Sequence, residues 1–271
     1  MDITWFSAFI LAVVEGVTEF LPISSTGHLI LTSALLGLSG PKVVAFEIII
    51  QGAAILAVCW EYRRLLWKTG TGLFTEPTAQ RFTVNVVIGF LPLALLGLAF
   101  HDFIERVLFK PIPVALALIV GGIAILWVDK RNNTVRYETV DQVPFGVALR
   151  LGFWQSLALI PGTSRAASTI IGGTWMGMSR RLATEYSFFL AIPTLICATL
   201  YKMYDSRDLF VAADLAPFAI GSVVAFITAL LAVRGLIRFV SSHTFAVFAW
   251  YRIVFGLVVL GYYAMGFGFT P

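Results

Sequence analysis

Long, uninterrupted apolar segments dominate the chain, and their lengths fall into two classes. Six segments approach the length of about 20 residues that a helix needs to cross a bilayer; they cover 43–60, 84–100, 112–128, 183–204, 212–233 and 244–267. Four segments are too short to cross, namely 3–14, 29–38, 145–160 and 166–178. Because apolar and polar residues do not alternate along these segments, the pattern predicts helices rather than strands.

Each pair of short segments flanks a polar break. The first break contains Pro22 and Gly27, and the second contains Pro161 and Gly162. These residue types interrupt helices. Two half-length helices around a break predict a re-entrant hairpin, because irregular backbone is tolerated inside a bilayer only where protein or a water-filled cavity satisfies it.

The order of elements occurs twice, since each half has one hairpin followed by three spans. A shift of about 140 residues lays Glu15 on Gln155 and Ser24 on Ser164. Three spans is an odd number, so the second half is expected to insert upside down, as in inverted-topology repeats whose sites form where the halves meet. We predict one all-α integral membrane domain over 1–271, with repeat halves of about 1–137 and 138–271.

Composition agrees with a membrane protein and explains the net charge. The 271 residues are 59% hydrophobic and 13% charged, whereas soluble domains carry about 25% charged residues. Most of the 19 Lys and Arg flank the spans on one side, for example Arg63, Lys130 and Arg180. The positive-inside rule assigns that side to the cytoplasm. We therefore expect both termini on the outer face, and we do not interpret the net charge of +4 as nucleic-acid binding.

Two carboxylates precede the first break. Glu15 and Glu19 are four residues apart, so they share one face of a helix. Two neighbouring carboxylates in a poorly solvated site cannot both ionise without cost, so one holds a proton or both share a cation. Acid–base chemistry, a divalent metal site and a structural pair that bonds the backbone all stay open, although carboxylates inside membranes favour function.

Hydroxyl groups and an imidazole follow in the same break. Ser24, Ser25, Thr26 and Gly27 offer hydroxyls and backbone N–H groups where the second short helix begins. Such helix N-termini bind phosphate, and the same residues also act as caps. His28 lies one helical turn after Ser25, so a contact between them suggests a nucleophile and its base. A structural role for the imidazole is the alternative.

The second break carries Arg165. A guanidinium at membrane depth must be paired, and its geometry matches phosphate oxygens. Gly162 lets the backbone approach a ligand closely, and Ser164, Ser168 and Thr169 add donors. Phosphate binding and an ion pair with a carboxylate of the first break are both open, and a substrate can displace part of such a pair.

These motifs resemble those of one known family. The run Glu15–His28 resembles the signature of the bacterial undecaprenyl-diphosphatase family, the BacA or UppP type, and Pro161–Arg165 resembles its second motif. The segment Glu185–Pro193 also fits, and the resemblance covers the whole chain. The chain departs from the family after Arg165, where Ala166-Ala167 stands in place of the usual Ser-Gly.

The resemblance implies an activity and a setting. Members of the family hydrolyse undecaprenyl diphosphate to undecaprenyl phosphate and inorganic phosphate in the bacterial inner membrane, with the site open to the periplasm. This activity recycles the lipid carrier for peptidoglycan and cell-wall synthesis, and hence cell shape, and confers resistance to bacitracin. The implied cofactor is a divalent cation, Mg or Ca. The implied partners are a prenyl diphosphate lipid and the membrane, and a homodimer stays open.

The resemblance also implies roles for residues of both breaks. The residues expected to bind substrate are Arg165, Ser164, Thr169, Ser24, Thr26, Gly27 and Gly162. The residues expected to act in catalysis are Ser25 as nucleophile or as the group that orients water, His28 and Glu19 for the proton, and Glu15 as support for Glu19 or, with Glu19, as metal ligand. Whether Ser25 or His28 attacks stays open. A transporter or flippase of a prenyl-phosphate lipid is the alternative function, because broken helices in inverted repeats also build transporters.

Overall fold

The computed structural model describes residues 3–100, 103–108, 110–131 and 134–265. The chain ends, whose side of the membrane was predicted, lie partly outside these ranges. The described part is helical, and its α-helices are α1 (Trp5–Thr18), α2 (Ser25–Leu35), α3 (Pro41–Glu61), α4 (Arg63–Gly72), α5 (Pro77–Ala99), α6 (Pro111–Lys130), α7 (Phe145–Ser156), α8 (Arg165–Trp175), α9 (Arg180–Asp205), α10 (Leu215–Val240) and α11 (Ala246–Ala264). A π-helical turn, Ile104–Leu108, precedes α6.

Six helices, α3, α5, α6, α9, α10 and α11, are long and apolar enough to cross a membrane. They coincide with the six predicted spans, which confirms the predicted class of an all-α, multi-pass membrane protein. The region 61–83, which connects the first two predicted spans, is itself largely helical. It contains α4 and about the first two turns of α5, because Arg, Leu and Lys are good helix formers even where the segment is not apolar.

The two predicted breaks separate α1 from α2 and α7 from α8. At each break a serine adopts the left-handed backbone region that only glycine enters readily. Ser24 has a φ of 73° and Ser164 a φ of 70°, and they are the non-glycine residues with positive φ in the described part of the chain. Each serine side chain caps the following helix, accepting from the backbone N–H of Gly27 or Ala167. The matching geometry, 140 positions apart, supports the repeat.

Helices from the two halves pack against one another in a reciprocal way. The first short helix of the first half, α1, packs on α10, and the first short helix of the second half, α7, packs on α5. Two further pairs, α3 with α9 and α6 with α11, join equivalent spans. The halves are thus interlocked rather than laid side by side, and both breaks lie within the bundle. The inverted orientation of the halves stays a prediction.

Several charged residues form ion pairs at the ends of the helices. Arg234 donates to Glu61 at 2.7 Å, and Arg180 donates to Asp129 at 2.8 Å. Both pairs involve the basic segments that we assigned to one side of the membrane. Lys42, in the first turn of α3, pairs with Asp214 at 3.0 Å. Charges therefore concentrate where spans end, as expected for helices that cross an apolar layer.

The contact between α1 and α10 requires glycine at position 16. A Cβ on Gly16 would lie 2.6 Å from the carbonyl oxygen of Ala225 and 2.9 Å from the backbone nitrogen of Ala229. Such distances force the two helices apart. Gly235, also on α10, has no atom within 4 Å of the same added carbon, and it provides a matched control for the change in helix propensity.

We expect Gly16→Ala to be less stable than Gly235→Ala. Overpacking a close helix contact costs about 1–3 kcal/mol of the free energy of unfolding, whereas both substitutions gain the same propensity. The midpoint of thermal unfolding of each purified variant in detergent measures the difference. Equal midpoints would contradict the close α1–α10 contact.

Candidate active site

The two breaks line one cavity of about 160 Å³. Its wall combines residues that lie far apart in the sequence. The first break contributes Glu19, Ser24, Ser25 and Thr26, and the second contributes Gly162, Ser164 and Arg165. The remaining lining residues come from the spans and from the turn after α7, namely Gln51, Leu93, Ala158, Leu159, Thr194 and Leu195. The polar stretches that the sequence singled out therefore meet, and apolar side chains complete the wall.

A buried ion pair joins the two breaks. The Arg165 guanidinium donates from Nη2 to Glu19 Oε1 at 3.0 Å, and the two side chains are only 7% and 6% exposed. Glu19 sits at the C-terminal cap of α1, and Arg165 is the first residue of α8. Of the two carboxylates considered as partners, the structure selects Glu19. Removing either partner would leave an uncompensated buried charge.

The second oxygen of Glu19 binds a hydroxyl. Ser25 Oγ donates to Glu19 Oε2 at 2.5 Å, and both residues are buried. This length is typical of a charge-assisted hydrogen bond. A serine hydroxyl that donates to a carboxylate has the arrangement of a nucleophile beside a proton acceptor.

Arg165 is held by a serine that the sequence analysis did not consider. Its Nη1 lies 3.0 Å from the carbonyl oxygen of Ser187 on α9, and the Ser187 hydroxyl lies 2.6 Å from Thr169 Oγ1. Thr169 is fully buried and lies behind Arg165 rather than on the cavity wall. The signal for Ser187 was available, because it is a hydroxyl within the apolar Glu185–Pro193 segment.

One donor of Arg165 is not used by the protein. Its Nε is buried and has no hydrogen-bond partner among the described residues. Guanidinium N–H groups are obligatory donors, and a buried unpaired donor costs free energy. Arg165 also lines the cavity, so an anion that draws its guanidinium toward the cavity would supply the missing acceptor.

Glu15 lies behind the cavity and is fully buried. Neither of its carboxylate oxygens accepts a hydrogen bond from a donor in the described part of the chain. It lies close enough to Glu19, Glu47 and Arg165 for their charges to interact with its own. Two carboxyl groups at such a distance share a proton or a cation, because carboxylates alone only accept.

The acidic residues near the cavity are too few to hold a divalent cation without a bound substrate. The described residues contain no group of three or more His, Cys, Asp or Glu side chains arranged to hold a metal ion. The two candidate ligands are Glu15 and Glu19, and both oxygens of Glu19 already have partners. Magnesium commonly binds one or two carboxylates plus substrate phosphates. The donor set therefore fits a cation whose remaining ligands are diphosphate oxygens.

His28 faces away from Ser25. Its Nδ1 lies 2.7 Å from the carbonyl oxygen of Ser24, and its Nε2 lies 2.6 Å from the hydroxyl of Tyr251 on α11. The ring stacks on Phe255 with centroids 4.2 Å apart. The contact with Ser25 that the spacing allowed is not formed in this structure, because both ring nitrogens are engaged elsewhere.

The glycines of the two breaks have different tasks. Gly162 has a φ of 92°, and a Cβ on it would overlap the carbonyl oxygen of Val114, so both its conformation and its close packing require glycine. Gly27 lies in the first turn of α2 and donates its N–H to Ser24 Oγ at 3.5 Å. Gly162 is on the cavity wall, whereas Gly27 is not among the lining residues.

Arg252 forms hydrogen bonds with the backbone of both breaks. This fully buried residue of α11 donates to the carbonyl oxygens of Pro22 at 3.2 Å and Gly162 at 3.0 Å. It also donates to Ala117 O at 3.1 Å on α6. Backbone carbonyls leave no signal in a sequence, so these partners could not be predicted.

The two alanines that depart from the family pattern do not reach the cavity. Ala166 and Ala167 are buried in the main apolar core, in a cluster that also contains Phe20 and Phe188. Neither alanine is on the wall of the cavity. The departure therefore changes the packing behind α8 and leaves the polar wall with Ser164 and Arg165.

Comparisons with known proteins agree with the motifs. The family described as bacitracin resistance protein BacA matches residues 8–258. The chain is 57% identical over 267 residues to "Undecaprenyl-diphosphatase 1" of Pseudomonas fluorescens (strain Pf0-1), which covers 98% of this chain and 97% of the relative.

Two further relatives carry the name "Undecaprenyl-diphosphatase". The protein of Ectopseudomonas mendocina (strain ymp) is 56% identical, over 96% of this chain and 95% of the relative. The protein of Dechloromonas aromatica (strain RCB) is 55% identical, over 96% of this chain and 94% of the relative. With a family match over almost its whole length and relatives at this identity, the chain belongs to the BacA family of bacitracin resistance proteins.

Proposed function

We propose that this protein is a membrane phosphatase that hydrolyses undecaprenyl diphosphate to undecaprenyl phosphate and inorganic phosphate. The names of its full-length relatives support the substrate. The observation that carries the chemistry is the buried chain of contacts from Ser25 through Glu19 to Arg165. It places a hydroxyl, a proton acceptor and a phosphate-binding cation at one cavity. The product is the reusable lipid carrier for cell-wall synthesis, which accounts for bacitracin resistance.

The cavity wall offers polar groups for the diphosphate and apolar groups for the start of the prenyl chain. Arg165 lines it, and the helices α2 and α8 begin at this wall with Ser25 and Arg165. Helix N-termini favour anions through their free N–H groups and their dipoles. Leu93, Leu159 and Leu195 form part of the same wall, and they provide apolar contact for the first units of the lipid tail.

In the proposed reaction, Ser25 Oγ attacks the terminal phosphorus and Glu19 accepts its proton. The bond between that phosphorus and the bridging oxygen breaks, and undecaprenyl phosphate leaves. Water then attacks the phosphoserine to release inorganic phosphate, and the proton on Glu19 returns to Ser25. A diphosphate that takes over Arg165 leaves Glu19 without its cation, and the proton from Ser25 restores the local balance of charge. In an alternative scheme, Ser25 instead orients a water molecule that attacks the terminal phosphorus.

A divalent cation completes the proposal. Glu15 and Glu19 would hold it together with diphosphate oxygens. When bound, Mg or Ca would screen the negative charge between the diphosphate and the two carboxylates. Phosphoryl transfer depends mainly on positioning and neutralisation of charge, and the residues of both breaks supply these.

The family and the charge pattern support the proposed setting in the cell. We place the protein in the bacterial inner membrane, with the two halves in inverted orientation, both termini in the periplasm and the cavity open to that side. A homodimer stays an open prediction.

A transporter or flippase of a prenyl-phosphate lipid is the alternative that the broken helices raise. Transport requires a binding site with alternating access, but it does not require a hydroxyl that donates to a buried carboxylate. The Ser25–Glu19 hydrogen bond therefore favours hydrolysis.

We expect purified protein to release phosphate from C15 or C55 prenyl diphosphate, and Arg165→Ala and Glu19→Gln to lower kcat by about 10²–10³-fold, as loss of a charge-stabilising group does. A colorimetric phosphate assay measures the rates. Arg181→Ala and Glu185→Gln are matched controls, because they remove the two partners of a more exposed ion pair on α9, and we expect wild-type rates. No release by folded wild-type protein would refute the phosphatase, and lipid transport in vesicles would be tested next.

Removal of divalent cations should slow turnover, because the two carboxylates then face the diphosphate unscreened. We expect EDTA to lower the rate at least ~10-fold, a moderate estimate for loss of charge stabilisation, and added Mg or Ca to restore it. Glu15→Gln should raise the cation concentration that gives half-maximal rate, whereas Glu61→Gln, on the surface, should not. Full activity in EDTA would argue against the cation.

The orientation can be tested with fusions. Alkaline phosphatase fused after residue 265 should be active, because it folds only in the periplasm, and fused within the basic segment 131–136 it should be inactive. The reverse pattern would contradict the orientation derived from Lys and Arg.

A further inference from the structure

The carbonyl oxygens of the two left-handed serines are bound in the same way. Ser24 O accepts from the side chain of His28, four residues on, at 2.7 Å. Ser164 O accepts from the side chain of Ser168, also four residues on, at 2.9 Å. The backbone N–H groups of His28 and Ser168 lie 3.4 Å and 3.0 Å from the same carbonyls. The first half of the protein thus binds this serine carbonyl with an imidazole, and the second half binds the equivalent carbonyl with a hydroxyl.

The partners of His28 determine where its proton lies. A backbone carbonyl only accepts, so Nδ1 carries the hydrogen that it shares with Ser24. In the neutral ring Nε2 is then the acceptor, and the hydroxyl of Tyr251 donates to it. With Nδ1 as donor and Nε2 occupied, the ring has no free nitrogen to take a proton from Ser25.

The surroundings of His28 agree with a fixed ring. From α2, its ring stacks on two aromatic rings of α11, with an interplanar angle of 9° to Phe255 and 5° to Tyr251. It is not among the residues that line the cavity, although Ser24 and Ser25 are. The hydroxyl of Ser25 donates to Glu19 instead.

We propose that His28 is a positioning residue rather than the catalytic base. It holds Ser24 in the left-handed conformation that starts α2, and this conformation directs Ser25 at Glu19. Tyr251 fixes the orientation of the imidazole. A non-glycine residue in this backbone region is strained, and in each half a side chain four residues on binds the serine carbonyl oxygen. Glu19 remains as the group that receives the proton of Ser25.

Two substitutions of similar size separate the roles. His28→Asn keeps a planar group with an N–H donor and has no basic nitrogen, and His28→Leu keeps bulk but has no donor. For a positioning role, Asn should retain kcat within ~10-fold of wild type while Leu loses more. For a general base, both should lose about 10²–10⁴-fold alike, an outcome that would overturn the proposal.

The pH dependence gives a second readout. We expect the acid limb of kcat/KM for His28→Asn to have the same midpoint as in the wild type, because the ring does not titrate in the reaction. Ser168→Ala should lower the rate in the same manner, with the midpoint unchanged, and Tyr251→Phe should lower it less than His28→Leu. Disappearance of the acid limb in His28→Asn would identify the imidazole as the base.

A spectroscopic measurement does not depend on turnover. The kinetic readout rests on the proposed function, and absence of hydrolysis by the wild type would refute that function alone. Nitrogen-15 spectra of histidine-labelled protein in detergent should show a neutral His28 ring with hydrogen on Nδ1 at pH 7. The His28 signal is assigned in the double variant His101→Asn/His243→Asn, which retains His28 as its one histidine. A ring with bare Nδ1 would refute the positioning role, even if the variants failed to fold.

Discussion

The architecture depends on how carbonyl groups are satisfied where two helices are interrupted inside the membrane. Irregular backbone in a bilayer lacks the regular partners that a helix supplies. Here Arg252 reaches carbonyl oxygens of both breaks, at Pro22 and Gly162, and of the neighbouring span at Ala117. One buried guanidinium therefore fixes two loops that are 140 residues apart relative to each other. The distance between the reactive groups of the two halves follows from this arrangement.

Within that frame, the polar groups of the cavity are arranged before any ligand arrives. Glu19 has one oxygen on Arg165 and the other on Ser25, and Ser187 holds Arg165 from the opposite side. Charges in a poorly solvated site are stabilised by such neighbours and rearrange little during reaction. The arrangement resembles a preorganised enzyme site more than a passage, through which a substrate must move freely.

Much of this could be predicted from sequence because it is local or compositional. The six spans, the two breaks and the opposite charges of Glu19 and Arg165 follow from apolar length and from the cost of charge in a membrane. The tasks of Thr169 and His28 could not be predicted, because they depend on partners from distant helices, Ser187 and Tyr251. A helical spacing of three residues between Ser25 and His28 permits a contact, but the competing partners of the ring decide whether it forms.

The buried Glu19–Arg165 pair also bears on selectivity among anions. An incoming phosphate must separate two charges that already neutralise each other, so charge alone offers little net attraction. A prenyl tail is already surrounded by lipid, so its burial against protein adds little hydrophobic free energy, but it confines the substrate to the membrane and raises its concentration near the cavity. A soluble diphosphate lacks this advantage, so we expect inorganic pyrophosphate and nucleotides to compete poorly for this site.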